Sequence, residues 1–270
     1  MEALAAPALD GRAAGTAGDR LARALIAARF ACAGLRPGGD DGTYEQAFTA
    51  GEITSANVIG VLPGSDPVLA ADRILVTAHH DHLGDRHLGA NDNASGVAAL
   101  LGIAETLAAD PPARTIVFIA FGGEEAGLLG STRFAAHPPA PLADVVQQIN
   151  LDMVGTARGR VAAMGTFRGL AATTALRALI EAVPRLRVGL GGVARGSDHE
   201  PLCARGIPYV FFWTPDRRCY HRRCDTPDQL DYPGLVAIAG LAADLTRDLA
   251  NSARDLRALR ARHGCGLPRR

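Results

Sequence analysis

The sequence predicts an α/β fold, a mostly parallel mixed β-sheet flanked by helices on both faces. Three observations point there. Apolar or β-branched runs recur at 57–62, 73–78, 115–121, 145–151 and 207–213, most of them continuous rather than alternating, as in strands covered on both faces. Segments with helical spacing lie between them, and alternating strands and helices build a parallel sheet. A composition of 48% hydrophobic and 21% charged residues supplies a sizeable core.

In chain order, residues 19–35 read as a helix stopped by Gly34, with Pro37 just beyond. The strands NVIGVL and RILVTA follow. ASGVAALLGIAETLAA then sets Val97, Leu100, Leu101, Ala104 and Leu107 at helical spacing. Asn93 or Ser95 can cap its start, and Pro111-Pro112 closes it. TIVFIAF and VVQQINL are strands, 170–183 a helix, IPYVFFW a strand, and Tyr232 to about Leu259 a last helix. No repeat, long linker or low-complexity stretch intervenes. Residues 1–270 therefore read as one domain, with a frayed tail beyond Arg260.

Composition also excludes function classes. Lys+Arg and Asp+Glu both number 28, with no run of like charge, which argues against a nucleic-acid surface. No apolar stretch approaches eighteen residues, so a membrane span is not expected. LARALIAARFACAGL is broken by Arg23 and Arg29 and suits an amphipathic helix better than a signal peptide. Five cysteines are too few and scattered for a disulfide framework. Cys219 and Cys224 bracket Tyr220-His221, either as a bridge or as two free thiols.

Five clusters carry metal chemistry: AHHDHLG, GANDNASG, FGGEEAGLLGS, INLDMVG and CYHRRC. His79 follows a predicted strand, as do Glu124-Glu125 and Asp152, and ligand sites in open α/β sheets form beyond the carboxyl ends of strands. His79 is the best ligand in its cluster, with Asp81 able to orient the ring, although His80 and His82 compete. Asp92 could cap a helix or bridge two ions. Of Glu124 and Glu125, neighbours pointing apart, one can ligate while the other moves protons. Asp152 is a carboxylate in an apolar run, costly unless paired or metal-bound. Tyr220 offers a phenol donor beside His221, suited to an oxyanion.

These clusters, in this order, resemble the zinc aminopeptidases of peptidase family M28. The resemblance runs over roughly residues 8–250 and includes SDHEPLCARGIPYVFF and DTPDQLDY. It implies a zinc-exopeptidase architecture and two zinc ions per chain. One ion would be held by His79, Asp92 and His221, the other by Asp92, Glu125 and Asp152, with Asp92 bridging. Glu124 would be general acid/base on a water shared by the ions, Asp81 the partner of His79, and Tyr220 a carbonyl-polarising donor. A cis Asp92–Asn93 peptide is implied, as are peptide substrates with a free N-terminus. Leu202 stands where the pattern often has an aromatic, and is expected in the pocket wall. Relatives are usually exported, whereas no leader is evident here. Cobalt or manganese suits the same ligands. The alternatives are another M28-type reaction, carboxypeptidase-like hydrolysis or glutaminyl cyclisation, and a non-catalytic binding domain, which would be expected to lose ligands.

Overall fold

Apolar side chains on both faces of the central strands organise the molecule. A computed structural model describes residues 1–265. The helices are α1 (Ala17–Cys32), α2 (Gly96–Ala108), α3 (Leu129–Ala136), α4 (Ala171–Ile180), α5 (His199–Cys203), α6 (Tyr232–Asn251) and α7 (Leu256–His263). The strands are β1 (Arg36–Pro37), β2 (Glu45–Ala50), β3 (Ile53–Leu62), β4 (Arg73–His79), β5 (Thr115–Phe121), β6 (Val145–Leu151), β7 (Arg160–Met164), β8 (Arg187–Leu190) and β9 (Tyr209–Trp213).

They form one mixed sheet in the order β1-β3-β5-β4-β6-β9-β7-β8, with β2 paired to β3 off this path. The pairings β4/β5, β4/β6, β6/β9 and β7/β8 are parallel; the pairings of β3 with β1, β2 and β5, and of β7 with β9, are antiparallel. The parallel block β5-β4-β6-β9 therefore sits in the middle, all its carboxyl ends at one edge.

Strand alternation sorts the core into two layers. Ile74 and Val76 of β4, with Ile116, Phe118 and Ala120 of β5, pack against α1, α2, α4 and α6 through Ile26, Leu100, Leu176 and Leu241. Leu75, Val117, Ile119 and Phe121 face the other way, onto Phe134 of α3 and Leu202 of α5. Each such side chain contributes on the order of 1.5–3 kcal/mol on burial. Leu202 is thus core, not the pocket wall expected of it, because the short helix α5 turns it towards the sheet.

The last predicted helix is two helices. Ser252 is extended, and the Asp255 side chain accepts the Ala258 N–H at 2.9 Å to start α7. Between them Arg114 donates to the carbonyls of Leu249, Ser252 and Arg254, satisfying groups that α6 leaves free at its end. The fraying expected beyond Arg260 does not extend to residues 261–265. The helix α7 runs to His263, and Cys265 is disulfide-bonded to Cys203; residues 266–270 lie outside the described residues. Among the described residues no helix is long and apolar enough to cross a membrane.

Candidate metal centre

The carboxyl edge of β5-β4-β6 delivers the site. His79 is the last residue of β4, Asp152 directly follows β6, and Glu124 and Glu125 follow β5 after the Gly122-Gly123 turn. Asp92 lies in the irregular turn before α2, where the Asp92–Asn93 peptide bond is cis. That turn is tightly built. Gly89 has φ +58°, and a Cβ there would meet the Asp92 carbonyl and the His82 ring at 2.3 and 2.5 Å, so only glycine fits.

The side chains form two donor triads that share Asp92. His79 Nε2 is 3.3 Å from both Asp92 Oδ1 and Asp152 Oδ1. His221 Nε2 is 3.2 Å from Asp92 Oδ2 and 3.1 Å from Glu125 Oε2. The residues expected from sequence thus come together, but their grouping differs. His79 groups with Asp152 and His221 with Glu125, because β4 and β6 are neighbours while His221 arrives on a separate loop.

His82 joins the second group from below. Its Nδ1 is 2.8 Å from Glu125 Oε1 and 3.9 Å from Asp92 Oδ2, so His82, Asp92 and Glu125 also make a compact donor set. A hydrogen bond from His82 to Glu125 leaves Glu125 Oε2 turned towards His221, which lines the cavity as His82 does not. His80, the other competitor, is spent elsewhere. Its Nε2 is 2.9 Å from Asp19 Oδ1, tying the end of β4 to α1.

Buried partners hold the cluster in place. The Asp81 carboxylate accepts the N–H groups of Glu124 and Glu125 at 3.0 and 3.2 Å. Its carboxylate is 3.8 Å from His79 Nδ1, while its backbone carbonyl is nearer, at 3.2 Å. Ser197 donates to Asp152 Oδ2 at 2.7 Å and accepts from Asn150 of β6 at 2.9 Å. Asp225 accepts the backbone N–H groups of Asn91 and Asp92 at 2.7 and 3.0 Å. Arg12 is fully buried and donates to the carbonyls of Leu4, His80, Leu88 and Gly89, pinning the segments that carry His79 and Asp92.

Electrostatics favours cations here. Burial, with the charges of Asp198, Asp152 and Asp81, pushes the Glu124 carboxyl up to about 10 against the pull of His79. Burial raises Glu125 too, although the His82 hydrogen bond opposes it. Asp92 resists its burial through His221 and His79 and stays well below the usual carboxylate range. His79 is raised well above its ordinary value: burial opposes this, but Asp152 and Glu124 outweigh it. A crowd of buried carboxylates and imidazoles is what divalent ions stabilise, and nitrogen with carboxylate oxygen is a zinc donor set.

Above the triads lies a cavity of about 720 Å³, lined by His79, Asp92, Glu124, Glu125, Asp152 and His221. Apolar walls come from Met153, Met164, Phe211 and Trp213. Tyr220 lines it beside His221, the two rings stacked with centroids 3.8 Å apart. Cys219 and Cys224 are bonded to each other and close the loop that carries both. With the Cys203–Cys265 bridge, four of the five cysteines are paired, leaving Cys32 free and exposed; the bridge reading of Cys219 and Cys224 holds, whereas the 62-residue separation of Cys203 and Cys265 concealed the other.

The model of peptidase family M28 matches residues 57–246. The chain belongs to this family. It is 42% identical over 112 residues to the aminopeptidase YwaD of Bacillus subtilis, a match covering 41% of this chain and 24% of that protein. Among solved structures, the zinc aminopeptidase BSAP from Bacillus subtilis superposes with a TM-score of 0.67 at 27% identity, over 76% of this chain and 52% of that one. LapA aminopeptidase of Legionella pneumophila shares the fold, with a TM-score of 0.77 at 22% identity over 93% of this chain and 70% of that one. The chain spans about a quarter of the curated relative and half of BSAP.

Sequence reasoning passed over the roles of Arg12, Ser197 and Asp225 and left His82 open. Ser197 and Asp225 lie in the SDHEP and DTPDQ segments noted for their resemblance, which was the available signal. Nothing in the local sequence marks Arg12 as buried.

Proposed function

We propose that residues 1–270 form one peptidase domain, a zinc-dependent aminopeptidase that holds two ions and acts on peptides with a free N-terminus. The observation that carries this reading is the pair of donor triads sharing Asp92, both lining a cavity that Glu124 also lines. His79, Asp92 and Asp152 would hold one ion, and Asp92, Glu125 and His221 the other. Bound zinc would supply Lewis acidity and a lowered pKa for water.

The chain's own groups do the rest. Glu124 has no hydrogen-bonded obligation for its carboxylate among the described residues, unlike Glu125 and Asp81. It takes the proton from the attacking water and delivers it to the departing amine. Its raised pKa belongs to a crowded acidic site, and bound cations nearby would lower it towards the range of a working base. The Tyr220 phenol, pushed up to about 12 by burial and the charges of Asp92 and Glu125, stays protonated and donates to the developing oxyanion. Met153, Met164, Phe211 and Trp213 receive an apolar first side chain. The relatives named aminopeptidases support this choice over other reactions of the family.

Hydrolysis of leucine p-nitroanilide and of its N-acetylated form tests the reading. Cleavage of the free-amine substrate alone is expected. Equal cleavage of both would remove the aminopeptidase assignment and keep a metallohydrolase.

A further inference from the structure

The cavity has an acidic floor but a basic rim, although the chain as a whole is electrically balanced. Arg195, Arg217 and Arg222 all line the same cavity as the metal-ligand cluster. They come from two separate loops, one before α5 and one after β9. Their neighbours Arg218 and Arg223 are occupied, Arg218 with Gln229 and Arg223 with Asp85 at 2.9 Å. Among the described residues no carboxylate lies within ion-pair distance of Arg195, Arg217 or Arg222, and Arg222 spends one N–H on the Arg218 carbonyl. Asp216, which lines the cavity beside them, accepts the backbone N–H groups of Arg218 and Cys219 through Oδ1.

Both loops are anchored beneath these heads. Next to Arg195, Ala194 donates its N–H to the Tyr209 hydroxyl at 3.0 Å and its carbonyl meets His199 Nε2 at 3.1 Å; Gly196 donates to Glu200 at 2.8 Å. The other loop is held by Asp216 and by the Cys219–Cys224 bridge. Fixed backbones carrying free guanidinium groups are a carboxylate-recognition device, since guanidinium matches carboxylate bidentately.

We infer that Arg195, Arg217 and Arg222 select peptides carrying a carboxylate one or two residues beyond the cleaved bond. This rests on the aminopeptidase reading, in which the amino terminus lies at the floor and the chain runs outward. An extended chain advances ~3.4 Å per residue, so residues beyond the first run outward from the floor towards the arginine-lined rim of the cavity. The carboxylate can be an acidic side chain or the C-terminus of a tripeptide.

Four peptides separate these sources: Leu-Ala-Ala amide, Leu-Ala-Ala free acid, Leu-Ala-Glu amide and Leu-Ala-Lys amide. At low salt the expected kcat/KM is about three- to tenfold higher for a carboxylate-bearing peptide than for the neutral amide, with the lysine peptide slowest. A gain for the free acid alone identifies the C-terminus as the ligand, and a gain for the glutamyl amide identifies the side chain. In Arg195→Gln/Arg217→Gln/Arg222→Gln the four values should converge, with a melting temperature near that of the parent because these side chains are exposed. Equal cleavage of all four by the parent protein, or a preference that survives in the triple variant, overturns the inference and leaves the aminopeptidase reading standing. Cleavage of none would overturn both.

Discussion

The floor of the site and its mouth are built on opposite principles. At the floor, His79 and Asp152 emerge from neighbouring parallel strands and are buried, and each is gripped by a further partner. At the mouth, His221 sits at φ +55° on an irregular loop, partly exposed, beside Tyr220 that is 50% exposed. The sheet places two members of the first triad, His79 and Asp152, at the ends of adjacent strands. The second relies on a bridge between Cys219 and Cys224 and on His82 holding Glu125 from beneath. In the proposed reading, one ion site would be set by the fold and the other by a loop, the second being the more easily perturbed.

Removing the proposed proton carrier has the largest expected effect. Glu124→Gln should lower kcat by about 10²–10⁴-fold, as expected for loss of a general acid/base, with metal content unchanged; near-parental turnover would show that the proton carrier lies elsewhere. Next, Ser197→Ala should weaken metal at the floor by about 10–100-fold, since Asp152 loses the donor that orients it. Competition with a chelator reads this, and a loss confined to the mouth would invert the comparison. Opening the mouth with Cys219→Ser/Cys224→Ser should cost about 2 kcal/mol of stability and release one ion before the other. Simultaneous release of both would mean that the loop does not distinguish the two sites. Arg223→Ala, which breaks an exposed ion pair with Asp85, should change stability by no more than about 1 kcal/mol.

The floor was the more legible region in sequence. The run TIVFIAF is β5 and VVQQINL is β6, residue for residue; the first is a nearly continuous apolar run, and the second is bounded on both sides by Asp144 and Asp152. The positions of His79, Glu124, Glu125 and Asp152 followed directly from those ends. What linear order does not contain is which strand lies beside which. The sequence β4, β5, β6 becomes β5-β4-β6 in space, so the partner of His79 is Asp152 and not His221. Short one-sided or edge strands such as β2 and β8 carry too few apolar residues to stand out. Supports such as Arg12 and Asp225 act through backbone atoms of distant segments, which no local pattern records. The basic rim escaped notice for a similar reason: Arg195 joins Arg217 and Arg222 only after folding.

In the proposed reading Asp92 serves both ions, whereas Asp152 and His221 each serve one. Zinc content per folded chain, measured by mass spectrometry on the parent and on Asp92→Ala, Asp152→Ala and His221→Ala, tests it most directly, with circular dichroism confirming the fold of each variant. About two ions in the parent, about one in each of the Asp152 and His221 variants, and none in the Asp92 variant is the predicted result. A folded Asp92 variant that retains two ions, or a parent that binds only one, would contradict the account.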